Sequence, residues 1–360
     1  MKKIRLFWLL LALFITQIIV VKYLLTYLNI NNTSSYHYFY TSFSKFQRQL
    51  FGWTTFSVGD LFYTLLIVFF IYIFFKWVKN IKKNSLLTAM LIIGIITVMQ
   101  FCFYLFWGFN YSRAPLAKFL KLDLKTLNAN DLILLNTQLI AKANFLQSKL
   151  AKADSLKVSA PYNRQQMLYQ SAISYNQLAQ QWPEFSYKNQ SIKWSLYSVP
   201  LSYMGYSGYY NPFSGEAQVN SQIVAPFIPF TACHEMAHQL GFAAEQEANF
   251  LSYLACINSQ DDFIKYSGYL VALSYSLSNL SFVDRIEFKK LVKTIHPGIL
   301  KNMQENDAFW SAHQNPSTKV FAAFYDHFLK ANKQTDGIKS YYGIVKLIIA
   351  YHQTYPLKKS

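Results

Sequence analysis

An H-E-x-x-H pattern made by His234, Glu235 and His238 holds the side chains of this chain that are best suited to chemistry. Residues four apart lie on one face of a helix, so the two imidazoles can reach a single zinc ion. Glu235 lies about 100° around the helix from His234, close enough to reach a water held by that ion. The pattern predicts a zinc site in which Glu235 is the catalytic base of peptide hydrolysis. The alternative is an amphipathic helix whose histidines are merely packed.

A third zinc ligand is expected, because a hydrolytic zinc site usually takes three ligands from the protein. Glu245 and Glu247 are the nearest carboxylates. On an unbroken helix Glu245 would lie about 10 Å along the axis from His238, too far to share an ion. Gly241 can adopt the left-handed conformation that ends a helix. A second helix can then begin near Ala243 and bring a glutamate back to the metal.

The spacing within this second helix separates the two glutamates. Glu245 and Asn249 are four apart and share a face, whereas Glu247 points about 160° away from Glu245. Glu245 is therefore the predicted third ligand, and Asn249 is the predicted partner that orients a ligand. Glu247 is the alternative ligand.

The motif resembles that of a known group of enzymes. H-E-x-x-H followed by E-x-E-A-N, which ends at Asn249, is similar to the gluzincin zinc metallopeptidases, where a glutamate on a later helix completes the site. The E-x-x-A-N part resembles membrane-bound peptidases related to the CAAX prenyl protease. In those enzymes the first glutamate is the ligand and the last residue supports it, which implies these roles for Glu245 and Asn249. The gap after His238 is shorter than in those families, so the choice between Glu245 and Glu247 stays open.

The chain as a whole is similar to a family of bacterial three-span membrane proteins known only as candidate zinc metallopeptidases. This resemblance covers most of the length, because three apolar segments precede the motif. It implies a zincin-like domain of the gluzincin type with Zn²⁺ as its cofactor. It implies no particular substrate.

The three apolar segments predict a membrane anchor. They cover residues 6–27, 60–77 and 86–107, and each approaches the roughly 20 residues that cross a bilayer. The composition agrees, since 14% of the residues are charged, against about 25% in soluble domains. We therefore expect a membrane domain over residues 1–109 and a zinc metallopeptidase-like domain over residues 110–360.

Basic residues predict the orientation of the three spans. Three of them precede the first span, and four lysines lie around the short link between the second and third spans: Lys2, Lys3, Arg5, Lys76, Lys79, Lys82 and Lys83. The positive-inside rule places these residues in the cytoplasm of a bacterial inner membrane. Residues 110–360 are then expected in the periplasm.

The formal net charge of +17 does not indicate a nucleic-acid partner. More than half of the excess lies in residues 1–109, where it follows the membrane topology, and the remainder is spread thinly. The expected partners are a peptide or protein substrate and the lipid bilayer.

The domain is expected to be mainly α-helical with a small β element. Helical spacing of leucines predicts a helix over about 131–153, and a second one is predicted over 164–181. The alternating segment 216–220 predicts a short strand. Zinc peptidases of this type place an edge strand just before the motif helix, so Ala217 and Val219 could pair with an extended substrate. The alternative is an ordinary hairpin.

Two questions stay open at the level of sequence. The first is which residue stabilises the oxyanion, for which the candidates are Tyr325, His327, Tyr341 and Arg285. The second is whether the chain is instead a catalytically inactive zinc-binding membrane sensor or scaffold. Glu235 favours the enzyme, because a purely structural zinc site has no use for a base and usually fills all four positions with protein ligands.

Overall fold

The computed structural model describes residues 2–31, 35–79, 81–124, 128–332, 334 and 343–357. They form a mainly helical chain with a small sheet, which confirms the predicted fold class. The helices are α1 (Lys2–Asn31), α2 (Ser35–Phe51), α3 (Val58–Lys79), α4 (Ile81–Phe106), α5 (Leu116–Phe119), α6 (Ala129–Leu150), α7 (Arg164–Leu178), α8 (Ser198–Met204), α9 (Ile228–Gln239), α10 (Glu245–Ile257), α11 (Asp262–Val283), α12 (Arg285–Val292), α13 (Pro297–Ala312), α14 (Pro316–Ala331) and α15 (Ile344–Thr354). The strands are β1 (Ile192–Trp194), β2 (Gly208–Asn211) and β3 (Glu216–Val219).

Among the described residues, three helices are long and apolar enough to cross a membrane, which confirms the three predicted apolar helices. They are the stretches Lys2–Leu28, Val58–Lys79 and Ser85–Phe106, close to the predicted bounds. Most of their side chains lie on the outside of the protein, as expected for helices that face lipid. α1 packs along α4, and α3 also contacts α4.

α2 is an amphipathic helix in the link between the first two spans, and its packing was not predicted. Tyr40, Ser44 and Arg48 on this helix donate hydrogen bonds to carbonyls at the end of α9. The link and the domain that follows α4 are therefore in contact and lie on one side of the membrane. Three spans require this arrangement; which side faces the cytoplasm stays a prediction.

The motif helix α9 lies at the centre of the extramembrane part, and all of its residues are buried. α7, α10 and α11 pack around it, and the sheet covers another side. α6 forms an outer layer on α11. It begins with a capping box between Asn128 and Asp131 and buries an apolar face at helical spacing: Leu132, Leu135, Leu139, Ala143 and Leu146. The helix predicted over 164–181 is α7, which packs directly on α9, whereas the helix predicted over 131–153 is α6, which supports α9 through α11.

The strand order is β1-β3-β2, with β3 in the centre. β3 pairs in parallel with β1 and antiparallel with β2. The prediction that Ala217 and Val219 belong to a free edge strand is therefore wrong. Both residues are paired on two sides and fully buried. The two edge strands of this sheet are β1 and β2.

A buried carboxylate, which forms an ion pair within the sheet, also joins the sheet to the second spanning helix. The Glu216 carboxylate on β3 accepts hydrogen bonds from the backbone N–H groups of Val58 and Gly59, at 3.1 and 2.5 Å, in the first turn of α3. A carboxylate at this end of a helix is favoured by the helix dipole. Lys193 on β1 lies 2.5 Å from Glu216, and both side chains are buried. The sheet beside the motif helix is thus fixed to the membrane anchor.

Candidate metal centre

The turn after α9 has the form that the sequence predicted. Gly241 has a φ of +86°, which is the left-handed conformation that ends a helix. A Cβ at this position would also lie 2.9 Å from the Tyr40 ring. The chain reverses here, and α10 begins at Glu245. The reversal brings the start of α10 back to the histidines of α9.

The last carbonyls of α9 are satisfied by side chains from the membrane side of the molecule. A helix end leaves carbonyls without partners inside the helix. Here the carbonyls of His238, Gln239 and Leu240 accept hydrogen bonds from Tyr40, Ser44, Arg48, Trp107 and Arg113. The two arginines also place positive charge at the negative end of the helix dipole. The anchor therefore fixes the end of α9 that carries His238.

His234, His238 and Glu245 converge on one point. The two Nε2 atoms are 3.1 Å apart, and Glu245 Oε2 lies 3.2 Å from Nε2 of His234. Glu245 Oε1 lies 3.8 Å from Nε2 of His238. All three side chains are buried, and their ligand atoms lie within 4.8 Å of one another. This group could hold a metal ion.

The hydrogen bonds behind the histidines favour a cation at this point. Nδ1 of His234 lies 2.8 Å from Oδ1 of Asn249, and Nδ1 of His238 lies 2.7 Å from the carbonyl oxygen of Phe242. Both oxygens can only accept, so each Nδ1 carries a proton and each Nε2 points into the cluster, where it offers a lone pair when the ring is neutral. Two such lone pairs and a carboxylate at these distances repel unless a proton or a metal ion lies between them. Asn249 is also where the sequence predicted the supporting residue.

The pKa values of His238 and Glu245 are shifted because these two side chains are buried next to each other. Burial acts to lower the pKa of His238, but the Glu245 carboxylate outweighs it and raises this pKa to about 9. Burial acts to raise the pKa of Glu245, but the charge of His238 and hydrogen bonds from both histidines hold it well below its usual value. The cluster therefore keeps an ionised carboxylate next to imidazoles that attract positive charge.

Glu235 lies beside the cluster and against the edge strand β2. It is buried, and burial raises its pKa to about 7. A Cβ at Gly208 on β2 would lie 2.8 Å from Glu235 Oε1 and 2.7 Å from the carbonyl oxygen of Gln218. Only glycine fits between the two at this position. Sequence analysis missed Gly208, since a glycine in a Tyr- and Ser-rich segment indicated only a turn.

Glu247, the alternative ligand, points elsewhere. Its Oε1 accepts a hydrogen bond from the backbone N–H of Leu116 at 2.6 Å. Burial raises the pKa of Glu247 to about 7, against the opposing effects of this hydrogen bond and of Arg113. Glu247 thus holds the start of α5 in place, and the carboxylate that meets the histidines belongs to Glu245.

One of the four candidates for oxyanion stabilisation lies at the centre. The Tyr325 hydroxyl on α14 donates a hydrogen bond to Glu245 Oε1 at 2.5 Å. His327 is exposed, with Nδ1 2.7 Å from the carbonyl of Ala323, and Arg285 is exposed at the start of α12. Tyr341 lies outside the described residues.

Comparisons with known proteins give a family and no activity. A family model described as "Protein of unknown function (DUF3810)" matches residues 36–349, which is most of the chain. No curated protein and no solved structure matches the chain.

Proposed function

Because the chain belongs to the DUF3810 family, whose description gives no activity, we propose from the site itself that it is a membrane-anchored zinc metallopeptidase. The observation that carries the proposal is the buried convergence of His234, His238 and Glu245. Two imidazoles and one carboxylate are a ligand set of hydrolytic zinc enzymes, and three protein ligands leave a position open for reaction. Softer metals favour sulfur-rich ligand sets, and harder metals favour sets made only of oxygen, so a set of two nitrogens and a carboxylate is better suited to zinc.

The roles of the residues follow from their positions. His234, His238 and Glu245 would hold Zn²⁺, which when bound supplies the Lewis acidity that activates a water and polarises a peptide carbonyl. Glu235 takes a proton from the water that attacks this carbonyl and passes it to the leaving amine. The Tyr325 hydroxyl is the described donor best placed to stabilise the oxyanion.

Strand β2 replaces β3 as the proposed substrate edge. It has a paired neighbour on one side only, and its first residue, Gly208, lies against Glu235. An extended peptide that paired with the outer edge of β2 would run past this carboxylate. The missing side chain at Gly208 lets the backbone of β2 itself come close to the base.

The proposal is tested with the purified full chain in detergent and a mixture of unstructured peptides. We expect cleavage that stops after treatment with a chelator and returns when Zn²⁺ is added, but not when Mg²⁺ is added, because Mg²⁺ prefers an all-oxygen octahedral site. A chain that contains zinc but cleaves none of the peptides would favour the sensor or scaffold alternative.

A further inference from the structure

α14 carries an apolar stripe that begins against the last turn of the third spanning helix, α4. Val320, Phe324 and Phe328 lie at four-residue intervals, so they share one face. Phe328, at one end of the stripe, packs on Phe103 in the last turn of α4 with ring centroids 5.9 Å apart. Val320 and Phe324 are 66% and 69% exposed. The stripe thus starts on a membrane-spanning helix and has no protein cover beyond Phe328 among the described residues.

Both ends of α14 are attached near the ends of spanning helices. At its C-terminal end, the Tyr104 hydroxyl of α4 donates a hydrogen bond to Oδ1 of Asn332 at 3.1 Å. At its N-terminal end, Thr318 donates to the carbonyl of Tyr203 in α8 at 2.9 Å. The residue before α8, Tyr197, shares a hydrogen bond with Thr64 of α3. These attachments place α14 across the neighbouring ends of α3 and α4.

A second face of α14, about 100° around the helix from the stripe, reaches the metal centre. Tyr325 reaches Glu245, and Leu329, one turn further on, is fully buried. His234 and Glu235 are also buried, so a peptide can reach them only after part of the protein around them moves. α14 therefore has one face on the site and another towards the membrane.

We propose that α14 is a lid that rests on the lipid bilayer. Val320 and Phe324 insert at the boundary between headgroups and acyl chains, as the apolar face of an interfacial helix does. Tyr325 closes the metal centre from the other face, so the centre opens at the membrane surface towards peptides held there. The covering role rests on the proposed function, whereas the contact with lipid does not.

The lipid contact is tested by spin labelling of the full chain in liposomes. Phe324→Cys and Phe145→Cys are compared in a Cys102→Ala background, where the remaining cysteines are buried. Phe145 is a matched control because it is 53% exposed on α6, a helix whose described neighbours are extramembrane helices. We expect the label at 324 to collide mainly with oxygen, which concentrates in lipid, and the label at 145 with a water-soluble nickel complex. Equal accessibility of both labels to nickel would overturn the contact with lipid.

The covering role is tested by the release of bound zinc. The double variant Val320→Asp, Phe324→Asp should weaken the contact between α14 and the bilayer. A chelator should therefore remove zinc from this variant several-fold faster than from the wild type in liposomes. Phe145→Asp is the control and should match the wild type. Unchanged release in the double variant, with the label at 324 in lipid, would overturn the lid but keep the lipid contact. A wild type without zinc would contradict the proposed function and leave the labelling result standing.

Discussion

Glu235→Gln is expected to keep the metal and lose hydrolysis. Glutamine has the shape of glutamate but cannot accept the proton of the attacking water, and a general base contributes about 10²- to 10⁴-fold to the rate. The metal should remain because Glu235 is not among the three converging ligands. We expect the rate of peptide cleavage to fall by roughly this factor at unchanged zinc content, both measured on one preparation.

Glu247→Gln is the matched control for this variant. It changes another buried carboxyl, which lies outside the cluster, and glutamine can still accept the hydrogen bond from Leu116. It should cleave peptides at the wild-type rate. A fully active Glu235→Gln variant would remove Glu235 from the reaction and with it the proposed mechanism.

Lys193→Met is expected to have the largest effect on stability. Its partner Glu216 is fully buried, and removal of one member of a buried ion pair leaves an uncompensated charge that costs about 3–5 kcal/mol. The pair also connects β1 and β3 to the first turn of α3, so the loss should spread to the contact between sheet and anchor. Thermal unfolding of the zinc-free chain in detergent measures the change.

Two further variants show whether burial is the cause. Lys157→Met breaks an ion pair with Glu305 whose side chains are largely exposed, and it should change the free energy of unfolding by only about 0–1 kcal/mol. Lys193→Met combined with Glu216→Gln removes both buried charges and should be more stable than Lys193→Met alone. A single Lys193→Met variant as stable as Lys157→Met would contradict this explanation.

Features that depend on local spacing were predictable from the sequence. The three apolar helices follow from composition along the chain alone. The positions of His234, His238 and Glu245 follow from helical periodicity and from the left-handed turn at Gly241, because only a few neighbouring residues determine them. The same periodicity separated Glu245 from Glu247.

Features that depend on contacts between distant segments were not predictable. β3 looked like an edge because its neighbour β1 has three residues and lies more than twenty positions earlier. The caps supplied by Tyr40 and Arg48 join residues nearly two hundred positions apart. Nothing local distinguished Tyr325 from the other oxyanion candidates, since its contact with Glu245 depends on where α14 packs.

Metal analysis of the purified full chain tests the central claim most directly. Elemental analysis would compare the wild type with Glu245→Gln and Glu247→Gln after exposure to Zn²⁺ and removal of the excess. We expect about one zinc per chain in the wild type and in Glu247→Gln, and a strong loss in Glu245→Gln, because an amide is a poor substitute for a carboxylate ligand. A wild type that holds no zinc after this treatment would contradict the metal centre.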